Sequence, residues 1–187
     1  MITFLGDVYP AAPVELVADL PGTLVLNLEA PLTDEPRGYP GKINLRGSAE
    51  AFARTFAGRQ VVATLANNHC MDFHAPGLHE TFAALEAAGV PYCGAGTAAE
   101  GWRNPATFTA DGLRVAVLAY ADADCRPVFA VGDQPGAAPL EPELVLSDIA
   151  AARAAGADRV VVAAHWGDEQ VHVPTARCVA LARSFVD

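Results

Sequence analysis

The sequence predicts an α/β fold, and three observations carry that prediction. Short apolar runs alternate along the chain with segments of helical spacing. The runs are continuous rather than alternating, as in strands buried on both faces of a parallel sheet. Four of them stop on side chains that can act as ligands. Ile2-Thr3-Phe4-Leu5 ends in Gly6-Asp7, and Thr23-Leu24-Val25-Leu26 ends in Asn27-Leu28-Glu29. The run Val61 to Ala66 ends in Asn67-Asn68-His69, and Val160 to Ala164 ends in His165-Trp166-Gly167. If these strands are parallel, all four ends lie on one edge of one sheet. That carboxyl edge is where open α/β sheets bind ligands.

The elements follow in order. After Asp7, Val14, Leu16 and Val17 outline a short helix from Val14 to Asp19, and Pro21-Gly22 turns the chain into the second strand. Residues 30–41 hold three prolines and two glycines and read as a loop on the site side. Lys42 to Arg46 is expected as a short strand. Ser48 is an N-cap, Phe52 and Phe56 share a helix face, and Gly58 closes that helix. The strand at 60–66 precedes a helix from Pro76 to Ala88, with Leu78, Phe82 and Leu85 on one face. Gly89 ends it, and Val90 to Cys93 is a short strand before the loop Gly94-Ala95-Gly96. Thr97 to Trp102 reads as one or two helical turns. Residues 105–109 and 113–120 form a hairpin across Asp111-Gly112. A long loop over 121–139 leads to a helix that Pro142 starts and Gly156 ends, burying Leu144, Ile149 and Ala152. The strand at 159–164 delivers His165. Pro174 opens a last helix with Cys178, Leu181, Ala182 and Phe185 on one face.

Composition narrows the function classes. The 187 residues suffice for one domain over 1–187 with a sizeable core. With 52% hydrophobic and 18% charged residues, the chain is not of the disordered class. It carries 22 acidic and 12 basic residues, a net charge of −10, and no Lys/Arg cluster, which argues against a nucleic-acid partner. Cys70, Cys93, Cys125 and Cys178 are scattered without a C-x-x-C pair, so they read as small buried hydrophobes. Cys70 stands apart because it follows His69. No basic, then apolar leader opens the chain, and no apolar run approaches membrane-spanning length. As written, the expectation is a soluble, cytoplasmic protein, with cell-envelope association open for a longer native chain.

Asp, Glu, Asn and His are oxygen and nitrogen donors suited to Mn, Fe, Zn or Mg. Four strand ends carrying them point to a metal site. His79 and His172 read as solvent-facing, Lys42 and Arg46 as part of a solvated face, and Trp102 and Phe129 as packing.

These strand ends resemble the bacterial capsule synthesis family, the CapA or poly-γ-glutamate synthesis proteins, which belongs to the calcineurin-like metallophosphoesterase superfamily. The matching residues are Gly6-Asp7, then Asn27-Leu28-Glu29-Ala30-Pro31-Leu32, then Ala66 to Asp72 with Gly77-Leu78 and Thr81 in register. Gly94-Ala95-Gly96 and His165-Trp166-Gly167-Asp168-Glu169, with Pro174 after it, complete the likeness. The resemblance implies a metallophosphoesterase-like α-β-β-α sandwich. It implies two divalent metals (Mn, Fe or Zn) on Asp7, Glu29, Asn68 and His165. His69 would be the acid of the site and Asp72 the carboxylate that orients it, while Asn67 would reach the substrate or only hydrogen-bond the loop, and Glu169 would touch substrate or orient His165. The implied activity is metal-assisted hydrolysis of a phosphoester, on a small molecule or an anionic polymer. The alternatives are a non-catalytic surface-polymer assembly or binding component that kept the fold, and an amide-bond hydrolase acting on polyglutamate. Two departures stand out. His74 occupies a position where the family usually has Gly. The family also continues into a further strand with a Gly-His-x-Pro-His type motif, so the fold and the metal site are expected to be short at the C-terminal end.

Overall fold

The computed structural model describes residues 1–16 and 19–186. Four parallel strands form the first sheet in the order β1 (Ile2–Val8), β2 (Thr23–Leu28), β3 (Val61–Thr64), β4 (Tyr92–Cys93). A pair of two-residue strands, β5 (Ala95–Gly96) and β8 (Gly136–Ala137), runs antiparallel. The remaining sheet joins β6 (Ala106–Ala110), β7 (Leu113–Ala121) and β9 (Arg159–His165), with β7 antiparallel to β6 and parallel to β9. Four α-helices among the described residues connect these strands: α1 (Ala49–Thr55), α2 (His74–Ala87), α3 (Pro142–Ala154) and α4 (Ala176–Val186). The fold is α/β of the metallophosphoesterase-like kind.

The strands form where branched and aliphatic residues run continuously. β3 is buried throughout, and in β2 only Asn27 escapes full burial. One core then spans both large sheets: Leu24, Leu26, Val62, Val117 and Leu118 all belong to it. β1 lies at the edge of its sheet and is only half-buried. Its pairing with β2 slips between Phe4 and Asp7, since Phe4 faces Val25 while Asp7 faces Asn27. One extra residue in β1 makes this a bulge, which re-aims the strand end.

The helices follow their sequence signals. Ser48 Oγ accepts from Ala51 N at 3.2 Å, and Glu50 and Arg54 sit at the ends that favour their charge. α2 buries Leu78, Phe82 and Leu85 as its spacing requires, beginning two residues ahead of Pro76. α3 starts on Pro142 and buries Val145, Ile149 and Ala152, with Leu144 only partly covered. The β6–β7 hairpin turns at Asp111 and Gly112, both at positive φ (51° and 77°), the pairing that a two-residue turn demands.

Several expectations are corrected. The four ligand-bearing ends do not share one sheet, because β9 pairs with β7 and brings His165 from the other sheet. Residues 42–46 form no strand; the only ladder contact of that loop among the described residues is a bridge between Leu32 and Gly47. Residues 97–102 are turns rather than helix, and the 121–139 loop holds a 3-10 turn (Ala123–Cys125) besides β8. The helix expected over 14–19 falls partly on Val17 and Ala18, outside the described residues, and residues 14–16 are not helical. Among the described residues, no helix is long and apolar enough to cross a membrane.

Gly94 packs against both large sheets, touching Ala119 of β7 and Ala66 just after β3. Its φ is 96°, and a Cβ there would lie 2.8 Å from Ala119 Cβ and 2.9 Å from Ala66 Cβ. Gly94→Ala is therefore expected to destabilise the fold by roughly 2–4 kcal/mol, from strain and overpacking together. Urea denaturation measures this; a variant as stable as the parent would contradict the close approach.

Candidate metal centre

The strand ends meet through a chain of amides. The β1 bulge sets Asp7 opposite Asn27, whose Nδ2 donates to Asp7 Oδ1 at 2.7 Å. The same Nδ2 lies 3.4 Å from His165 Nδ1, across from the other sheet. Asn67 Nδ2 donates to Asn27 Oδ1 (3.0 Å) and to the Leu28 carbonyl (2.9 Å), while its Oδ1 accepts from His69 N at 2.9 Å. Asn67, expected at the substrate, is fully buried with its amide spent inside the protein. It shapes the turn after β3 instead, and so fixes where Asn68 and His69 emerge.

His165 is held by two amides. Its Nε2 lies 3.0 Å from Asn68 Oδ1, an acceptor, which assigns the proton to Nε2. Nδ1 then faces Asn27 and Asp7, whose Oδ1 is 3.8 Å away. Burial lowers the His165 pKa and His69 lowers it further, against the opposing pull of Asp7. Glu29 shifts the other way: burial raises its pKa first, and the Asp7 charge adds to that.

His69 and Asp72 come together as expected. His69 Nδ1 lies 2.7 Å from Asp72 Oδ2, and Asp72 is wholly buried. The carboxylate thus holds the proton on Nδ1 and leaves Nε2 for other work. Sequence reasoning missed what completes this pair. Lys42 Nζ sits 2.6 Å from Asp72 Oδ1 and donates to the Asn68 carbonyl at 2.5 Å. Leu45 N donates to Asp72 Oδ2, and Tyr39 N to the Asp72 carbonyl. Lys42, read as part of a solvated face, is the countercharge that docks the 30–47 loop on the site. Nothing local marks it, because its partner lies thirty residues away in sequence.

A cleft of about 550 Å³ gathers Asp7, Glu29, Asn68, His165 and Glu169, with Asp124, Cys125, Arg126 and Asp168 on its other walls. His69 adjoins rather than lines it, although its charge reaches both Glu29 and His165. His74 takes no part. It stands at φ 56°, a conformation suited to glycine, with its ring stacked on Tyr39 at 5.1 Å. Cys70 is buried and its thiol pushed up to about 12, which makes it packing. Cys125 departs from the expected burial: it is half-exposed on the cleft wall, with Sγ near the His165 and Gly167 carbonyls.

The donor chemistry fits a divalent cation. Two carboxylates, an amide oxygen and an imidazole face one cleft, and burial and then Asp7 raise the Glu29 pKa, the like-charge part of which a cation would relieve. As they stand, the donors are not drawn tight. Among the described residues no three His, Cys, Asp or Glu side chains are close enough to cage an ion, and Asn68 and His165 are spent on each other.

Fold and site together define an α/β protein of metallophosphoesterase-like architecture with its candidate ligands at strand ends. The chain belongs to the bacterial capsule synthesis protein family PGA_cap, whose family model matches residues 2–187. It is 33% identical to the capsule biosynthesis protein CapA of Bacillus anthracis over 168 residues, covering 86% of this chain and 41% of that protein. The PGA biosynthesis protein CapA of Bacillus subtilis is 26% identical, over 99% of this chain and 53% of its own length. A "probable polyglutamine synthesis accessory protein" of Mycobacterium tuberculosis is 32% identical over 69% of this chain and 37% of its own. The chain thus spans about half or less of the relatives it matches.

The Glu29 environment gives a pH-dependent prediction. A carboxyl whose folded pKa is raised penalises folding once it ionises. The penalty is absent below the ordinary carboxylate range and full above the raised value. Glu29→Gln should therefore raise the thermal midpoint of the metal-free protein at pH 7 and leave it unchanged near about pH 3. If Glu29 ligates a divalent cation, adding that cation should reverse the sign. A lower midpoint for metal-free Glu29→Gln at pH 7 would contradict this electrostatic picture.

Proposed function

We propose that the cleft is a metal-dependent hydrolytic site of phosphoesterase type, serving capsule or poly-γ-glutamate biosynthesis. The observation that carries this reading is the His69–Asp72 pair standing beside the Asp7, Glu29, Asn68 and His165 donors. The polymer context comes from family membership and from the relatives' names.

In this reading Asp7, Glu29, Asn68 and His165 would hold the divalent metals. Bound there, Mn, Fe or Zn would act as a Lewis acid on a phosphoryl oxygen. The chain's own residues do the rest. Asp72 fixes the His69 tautomer, so Nε2 is the atom that gives a proton to the leaving oxygen. Lys42 balances the buried Asp72 charge and closes the 30–47 loop over it. Glu169, on the cleft wall, would touch substrate in this reading.

A second reading, a non-catalytic polymer assembly or binding component, is favoured by the names of the relatives, which are biosynthesis and accessory proteins rather than hydrolases.

The two separate on activity. With Mn²⁺ present, hydrolysis of p-nitrophenyl phosphate and its diester should be measurable, and His69→Ala should lower kcat by about 10²–10⁴-fold. Asp7→Ala should abolish turnover. An inert parent chain, or full activity in either variant, would favour the binding role.

A further inference from the structure

The cleft wall has one feature that the donor set does not use. Asp7, Glu29, Asp124, Asp168 and Glu169 line it with five carboxylates, and Arg126 is the one arginine or lysine among the lining. The whole chain carries −10. An anionic ligand entering such a cleft is repelled unless a cation meets it locally.

Arg126 is built into its place. It follows the 3-10 turn Ala123–Cys125 in the left-handed conformation, φ 56° and ψ 47°, and its N–H donates to the Ala123 carbonyl at 2.9 Å. A non-glycine residue there costs roughly 1 kcal/mol, so the position is held by its surroundings. Those surroundings are visible. Buried Asp122 caps the turn through Asp124 N at 3.1 Å and accepts from Arg177 at 2.6 Å. Asp122 N donates to the His165 carbonyl at 2.9 Å, which ties the turn to the end of β9 beside the candidate ligand. Arg177 spends its charge on Asp122 and Asp124. Arg126, by contrast, is exposed at the cleft, and among the described residues no carboxylate forms an ion pair with it.

We propose that Arg126 is the anion-recognising residue of this cleft, its guanidinium taking an oxyanion of the substrate, a phosphate or a carboxylate. The planar fork of arginine matches either group with two parallel hydrogen bonds. The substrate is then a molecule with a negative group within an arginine's reach of the Asp7–His165 end of the cleft. This rests on the reading of the cleft as the ligand site, and it adds the residue that selects the ligand.

The test is calorimetric titration of inorganic phosphate, and separately of a γ-linked glutamate trimer, into the 187-residue protein with and without Mn²⁺. The parent should bind at least one of the two anions. Arg126→Gln should weaken that binding by about tenfold or more, and Arg126→Lys should keep part of it. Arg183→Gln, an exposed arginine on α4, should leave it unchanged. Preference for phosphate identifies a phosphoryl group; preference for the trimer identifies a carboxylate. Arg126→Gln binding as tightly as the parent, or neither anion binding the parent, would overturn the proposal. Arg126-dependent binding that persists in Asp7→Ala supports the arginine and counts against the metal reading. Binding that needs Asp7 and not Arg126 does the reverse.

Discussion

The site depends on one buried amide. Asn67 has no solvent exposure, and both ends of its side chain are used by the protein. It joins the end of β2, through Asn27 and Leu28, to the turn that presents Asn68 and His69. Asn27 carries the link onward to Asp7 on β1 and to His165 on β9. Four strand ends from two sheets are thereby held at one level. Each buried polar group left without a partner costs about 1–3 kcal/mol, so this network specifies the geometry more than it adds net stability.

Two charge systems flank that network and differ in character. In the Lys42–Asp72–His69 group a buried carboxylate meets an ammonium as an ion pair through Oδ1, and an imidazole and a backbone N–H through Oδ2. Buried pairs of this kind contribute little net stability, and their use is to fix position. Here they fix the 30–47 loop and the His69 ring. The Asp7–Glu29–His165 group is of another kind. Burial and like charge favour the neutral form of Glu29, and burial favours the neutral form of His165. Under the metal reading proposed above, a cation would relieve the repulsion between Asp7 and Glu29.

Much of this was legible in the sequence because it is local. Continuous apolar runs gave the strands, i, i+4, i+7 spacing gave α2, and Asp111-Gly112 gave the hairpin. The ligand types at strand ends picked out residues that the fold gathers at one cleft. What periodicity does not encode is which sheet a strand joins, so β9 was placed with β1, β2 and β3 although it pairs with β7. Side-chain direction was equally hidden. Asn67 and Asn68 are neighbours of one type, yet one turns inward and the other faces the cleft, decided by Asn27 from a distant strand. Lys42 and Arg126 are single cations without a motif, and only the folded loops reveal that one meets Asp72 and the other the cleft. His74 matters through its backbone, where φ 56° accounts for a glycine-type position.

Elemental analysis of the purified chain after loading with Mn²⁺, Fe²⁺ or Zn²⁺, with Asp7→Ala alongside, tests most directly whether the strand-end donors bind metal as proposed. About one or two divalent ions per chain are expected, lost in the variant. A parent chain that retains no metal, or a variant that retains as much as the parent, would contradict the proposal.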